Sequence, residues 1–99
     1  MKIDLKKNRI KVKGNCVIHD LQPLQKTLLE VVESKRSGLE LDLSGIEVID
    51  TAGVQLLAVF RNNALEKEKT FKIVAESEAV REALKMTGLE SMLEDSKND

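Results

Sequence analysis

The chain has 99 residues, 41% hydrophobic and 33% charged, which fits one folded domain and excludes both a disordered chain and a two-domain protein. Lys and Arg number 16 against 17 Asp and Glu, a net charge of -1, so the basic surplus that nucleic-acid binding needs is missing. Two phenylalanines with no Trp or Tyr argue against base-stacking platforms, one cysteine excludes an internal disulfide or a cysteine-rich zinc site, and no apolar run nears the roughly 20 residues that cross a bilayer.

Residues Met1 to Asp4 lack a secretory apolar stretch, so a cytoplasmic location is the expectation. Ile3 and Leu5 alternate with Asp4 and Lys6, and Ile10 and Val12 alternate with Arg9, Lys11 and Lys13. Period-two alternation predicts two strands with one wet face, with a turn at Asn8 and an end at Gly14-Asn15. Cys16 to Ile18 is a weaker strand candidate. Asp20 is placed to cap a helix with Pro23 in its first turn. Leu21, Leu24, Leu28, Val31 and Val32 form its apolar stripe, and Ser37-Gly38 stops it.

Leu39 to Leu43 alternates as a strand. Ser44-Gly45 is expected to break it, with Ile46 to Ile49 as a short apolar return. Asp50 or Thr51 caps the next helix, which puts Gly53, Leu56, Leu57, Phe60 and Ala64 on one face and ends near Glu68. Phe71 to Val74 is a strand. Ser77 caps a further helix with Val80, Ala83 and Leu84 inward, stopped at Thr87-Gly88. Leu89 to Leu93 is expected to form a last turn, and residues 94–99 a frayed polar tail. Strands alternating with helices imply parallel neighbours joined by right-handed crossovers. The N-terminal strands add antiparallel pairing. The expected fold is α/β: one domain over residues 1–99, with a mixed β-sheet flanked by amphipathic helices.

Catalytic chemistry finds no constellation in this chain. Cys16 and His19 have no orienting third group, so Cys16 reads as a small buried thiol and His19 as an exposed or capping side chain. The five glycines stand isolated, which leaves no phosphate loop and no dinucleotide fingerprint. The informative stretch runs from Leu41 to Leu57, where Asp42 and Asp50, two hydroxyls and two glycines fall in a strand–turn–helix pattern. In the bland reading Asp50 and Thr51 cap the helix and Gly53 permits close packing. In the sharper reading the turn is a switch. A phosphate on a hydroxyl at a helix N-terminus is stabilised by the dipole and adds about -1.5 to -2 charge beside Asp50.

The segment Asp42-Leu43-Ser44 … Ile49-Asp50-Thr51-Ala52-Gly53-Val54 resembles the signature of STAS domains, named for sulfate transporters and anti-sigma factor antagonists. Phe71 to Val74 resembles the family's next strand, and Leu84 to Leu89 its late helix with a Thr-Gly-Leu ending. The resemblance covers about residues 2 to 93. It implies a STAS-like fold and a non-enzymatic regulatory module without cofactor or metal. In the family's antagonists a kinase-like anti-sigma factor phosphorylates a hydroxyl in this turn, and phosphorylation breaks the complex. Here the position before the glycine is Ala52, so Thr51 is the one candidate for phosphorylation. The partner-binding set implied is Ser44, Asp50, Thr51, Gly53, Val54 and Ala58, drawn from a 44–53 turn and the following helix. Asp42 and Asp50 would shape the turn, and Asp50 could also position a Mg²⁺-nucleotide phosphate held by a kinase. Val54, Ala58 and Leu65 lie beside the core stripe and read either as the edge of a wide core-facing stripe or as a partner contact, for which Val54 and Ala58 are the candidates. The expected partner is a protein: an anti-sigma factor or kinase-like ATPase, or else an ABC transporter permease if the chain is the cytoplasmic STAS subunit of a lipid-transport system. No nucleic acid and no direct membrane insertion are expected. A nucleotide-binding module is the remaining alternative.

Overall fold

The computed structural model describes residues 1–93; the expected tail at 94–99 lies outside them. Strand β1 (Lys2–Lys6) turns into β2 (Arg9–Cys16), and a 3-10 turn over Ile18–Asp20 leads into helix α1 (Gln22–Glu33). Then follow β3 (Gly38–Ile49), α2 (Thr51–Glu66), β4 (Thr70–Glu76) and α3 (Glu78–Met86). The sheet order is β1-β2-β3-β4. β1 and β2 pair antiparallel, while β2, β3 and β4 run parallel. The expected mixed sheet is therefore the one formed.

Alternation decides which sheet face is buried. Ile10, Val12, Leu39, Leu41 and Ile73 are fully buried under the helices, and the residues between them, such as Arg9, Lys11, Glu40 and Asp42, lie on the other face. α1 buries Leu24, Leu28, Val31 and Val32 as the stripe predicts. At its C-terminus Lys69 Nζ donates to the carbonyl of Ser34 (2.5 Å), a cation on the negative end of the helix dipole.

Several boundaries differ from expectation. Asp20 does not cap α1: the N-cap is Leu21, already in the helical region, with no side-chain cap bond. A cap residue needs extended backbone, and here the 3-10 turn feeds the chain into the helix already wound. Gly38 does not stop α1, which ends at Glu33; it opens β3 opposite Thr70, so close that a Cβ would collide with the Thr70 side chain. Gly14 does not end β2, which pairs on to Cys16. Ser44-Gly45 does not break β3. Lys11 pairs with Asp42 but Lys13 with Gly45, and Gly14 pairs with Ile46 but Asn15 with Val48. Two extra residues on β3 are thus absorbed as bulges, which bend a strand without ending it. α2 ends two residues before Glu68, which takes a positive φ of 60° just beyond the helix. Past α3, Met92 and Leu93 are buried in a short helical turn, where the last turn is expected.

Candidate functional site

The turn between β3 and α2 is held by one carboxylate. Asp50 has extended backbone and caps α2, and its Oδ1 accepts the N–H of Gly53 at 2.9 Å. Its Oδ2 accepts the N–H of Ile18 at 2.9 Å, and its own N–H donates to the Cys16 carbonyl at 3.2 Å. The end of β2, the 3-10 turn and the start of α2 are thereby tied together. Hydrogen bonds from Gly53 and then Ile18 hold the Asp50 carboxyl below the usual carboxylate range, because both stabilise the charged form.

Gly53 packs against that knot. A Cβ there would strike the Cys16 carbonyl and come within 2.8 Å of Ile49 Cγ1 and 3.0 Å of Cys16 Sγ. Gly53 is buried; its place is contact between helix and strand, not surface. Cys16 beneath it is fully buried, as expected of a packing thiol. Burial first, and the charge of Asp50 second, push its pKa up to about 11, which keeps it protonated and unreactive. His19 is exposed in the 3-10 turn.

Thr51 is the first residue of α2 and is exposed. Among the described residues its hydroxyl has no hydrogen-bond partner. Beside it lies a concavity of about 220 Å³ lined by Ile49, Asp50, Thr51, Val54, Ala83, Met86 and Thr87. Met86, in its wall, is 84% exposed. Ile18 (63%) and Val48 (51%) are exposed next to Asp50. Neither periodicity nor the signature singles out these three. Met86 falls off the apolar stripe of α3 and Ile18 sits in a turn, and an apolar residue in such places is the one signal the sequence offers.

Other predicted residues stand elsewhere. Ser44 is exposed in the middle of β3, not in the turn. Five extended residues, roughly 16 Å, separate it from Ile49. Its Oγ donates to Asp42 Oδ1 at 2.6 Å and its N–H to the same oxygen at 3.0 Å. The hydroxyl's bond, and after it the N–H bond and the charges of Lys11 and Arg9, outweigh desolvation and lower the Asp42 pKa. Asp42 thus shapes the β3 bulge rather than the Thr51 turn. Val54, a candidate for partner contact, is 1% exposed and belongs to the core, as the wide-stripe reading has it. On a wheel of about 100° per residue it lies roughly 90° from the centre of the Gly53–Leu57–Phe60–Ala64 stripe, farther than Leu56 at about 70°, so the wheel alone leaves it at the margin. α3 also passes beside the start of α2 and covers Val54. Ala58 is half-buried against the core, whereas Leu65 is 50% exposed.

Among the described residues no group of three His, Cys, Asp or Glu side chains could hold a metal ion, and no helix is long and apolar enough to cross a membrane. None of the curated proteins compared matches the chain significantly. Solved structures do. The anti-sigma factor antagonist SpoIIAA in its unphosphorylated form superposes with a TM-score of 0.75 at 12% identity, covering 93% of this chain and 84% of that one. The phosphorylated form of the same Bacillus cell fate determinant gives 0.70 at 11% identity, covering 93% and 86%. An anti-sigma factor antagonist from Mycobacterium paratuberculosis gives 0.75 at 26% identity, covering 93% and 80%. The family model described as "Mlab, STAS domain" matches residues 1–94. That match spans nearly the whole chain, and the mixed four-stranded sheet agrees with it: the chain belongs to the STAS domain family.

Proposed function

We propose that this domain is a non-enzymatic regulatory module that captures a protein partner at the Thr51 end of the sheet. The observation that carries the reading is the 84% exposed Met86 in the wall of the concavity that holds the Thr51 hydroxyl, with Ile18 exposed where its N–H meets Asp50. Exposed apolar residues gathered at one place mark an interaction surface more often than scattered ones do. The partner is an anti-sigma factor of the kinase-like kind, by analogy with the antagonists of the same fold. Phosphorylation of Thr51 switches the contact. A phosphate there stands beside a carboxylate that is already ionised, so it concentrates negative charge where the partner must dock. Asp50 orients the turn with both oxygens already accepting backbone bonds. Val54, being buried, supports the surface from beneath.

A second reading follows from Ala52, which removes the neighbouring hydroxyl, and from the family description. In it Thr51 is a constitutive contact to the ATPase or permease of a lipid-transport ABC system, in the cytoplasm. One experiment tests both. The tagged chain is used to capture a candidate anti-sigma kinase or ABC assembly, with Thr51→Glu, Thr51→Ala and Met86→Asp beside the unaltered protein. Charging an exposed side chain typically changes stability by less than about 0.5 kcal/mol, so Met86→Asp stays folded. Loss of capture with Met86→Asp and Thr51→Glu is the expected outcome. Retention with Thr51→Ala marks the phosphoswitch; loss with Thr51→Ala marks the contact. Full capture by Met86→Asp and Thr51→Glu would remove the site from this end of the molecule.

A further inference from the structure

The opposite end of the sheet carries a different chemistry. Residues 1–15 hold six of the 16 Lys and Arg but only one of the 17 Asp and Glu. The remainder of the chain is therefore net acidic, with ten cations against 16 acids, and the net positive charge lies on the β1–β2 hairpin. All six cations, Lys2, Lys6, Lys7, Arg9, Lys11 and Lys13, are exposed.

At the hairpin tip the chain forms a concavity of about 400 Å³ lined by Lys6, Lys7, Asn8, Arg9 and Glu40. Its one acid is occupied: Glu40 Oε1 accepts from Arg9 Nε at 3.3 Å and Nη2 at 3.2 Å. That brace fixes the guanidinium plane and leaves Arg9 Nη1 free to donate. Lys6 and Lys7 have no ion pair among the described residues. The tip is also held in place from behind. Arg36 Nε donates to the Lys7 carbonyl at 2.8 Å, and the N–H of Glu40 donates to the Asn8 carbonyl at 2.9 Å. Arg36 thereby brings a fourth cation to the turn.

The backbone adds an independent observation. Lys7 has φ of 54°, while Asn8 is not left-handed. A two-residue hairpin with positive φ only at its first central position normally has glycine there. A long cationic side chain stands where the fold prefers none, and strain kept in this way points to use of the side chain.

We propose that the hairpin tip binds a phosphate group. A tetrahedral oxyanion accepts simultaneously from two ammonium groups and a braced guanidinium, which is the donor set present. The compactness of the cluster favours a phosphate ester or a lipid headgroup over an extended polyanion. The acidic body would repel a long nucleic acid, and the only aromatics, Phe60 and Phe71, are buried in the core. The site is independent of the Thr51 reading, because β2 runs its full eight residues between the two ends.

The test follows backbone amide resonances of the folded chain during titration with sodium pyrophosphate at low, constant ionic strength. Sedimentation with phosphatidylcholine vesicles, with and without phosphatidic acid, forms the second arm. Lys7→Gly is the decisive variant. It removes a cation and relieves the backbone, so weakened binding cannot be ascribed to unfolding. A Lys26→Ala/Lys85→Ala double variant removes exposed charge elsewhere. Saturable shifts at residues 6–9 and 36–40 are expected, with affinity about 5-fold weaker in Lys7→Gly and nearly unchanged in the double variant. Pyrophosphate binding alone identifies a soluble phosphate ester, and vesicle binding restricted to phosphatidic acid identifies a headgroup. Binding in neither arm would overturn the proposal. So would equal weakening by Lys7→Gly and the control, which would mean unspecific attraction to surface charge.

Discussion

The Thr51 end and the hairpin end of the sheet are joined by the same strand, β2, yet they are built by opposite means. At the Thr51 end Asp50 spends both carboxylate oxygens on backbone N–H groups, and three large apolar side chains, Met86, Ile18 and Val48, are left exposed at that end of the sheet. At the hairpin the apolar side chains of Ile10 and Val12 are fully buried, and what faces solvent is cationic and largely unpaired. The first end has satisfied backbone and unsatisfied surface hydrophobes. The second has a strained turn and unsatisfied charge. Surfaces of two different chemistries thus share one small sheet, since each end draws on a different part of the chain.

The largest test of that contrast is Val54→Asp. If the Thr51 end rests on a buried knot, a carboxylate at a position 1% exposed should cost about 4 kcal/mol, seen as a large fall in the urea midpoint. Unchanged stability would return Val54 to the surface and dissolve the contrast. Gly53→Val should cost about 2–3 kcal/mol, since its branched side chain enters space held by Cys16 and Ile49. For a domain of this size that lowers Tm by roughly 15 °C; a calorimetric shift under a few degrees would show that the knot can open. At the hairpin the sign reverses. Lys7→Gly should stabilise the protein by about 1 kcal/mol, and a lower Tm would show that the turn is not strained.

The smallest effect is a pH dependence. Asp50 is held below its unfolded pKa by the N–H groups of Gly53 and Ile18, so its contribution is complete above about pH 4 and is lost as pH falls through the depressed folded value. Asp50→Asn should destabilise the protein modestly at pH 7, because the amide offers one acceptor oxygen to two backbone N–H groups and turns a donor on the other. Its stability should then fall less steeply in acid than that of the unaltered protein. Identical acid limbs would mean that the two bonds do not favour the charged form.

Local signals located most of the elements. The α1 stripe, the Ser77 cap, whose Oγ accepts the Val80 N–H at 3.2 Å, and the alternation of β3 are each written in consecutive residues. The signature around Asp50 likewise placed the cap and Thr51. Where reading failed, the cause lay in a partner distant in sequence. Ser44-Gly45 has the composition of a break, but β2 and β3 absorb the extra residues as bulges. Gly38 looks like a helix stop, but Thr70 needs the space where its Cβ would be.

By itself the sequence determined the mixed α/β order, the inward faces of α1 and of the strands, and a cap at Asp50 or Thr51, because these depend on periodicity and on hydrogen bonds within a few residues. Only the tertiary structure decided that Val54 is core and Met86 is surface. A side chain at the margin of a helical stripe is buried or exposed according to which neighbour lies against it, and α3, more than twenty residues along the chain from Val54, covers the one and leaves the other in water. The Lys6–Lys7–Arg9 concavity has the same origin. Its cations are visible in the sequence, but Glu40 and Arg36, which brace them, arrive only when β3 pairs beside β2.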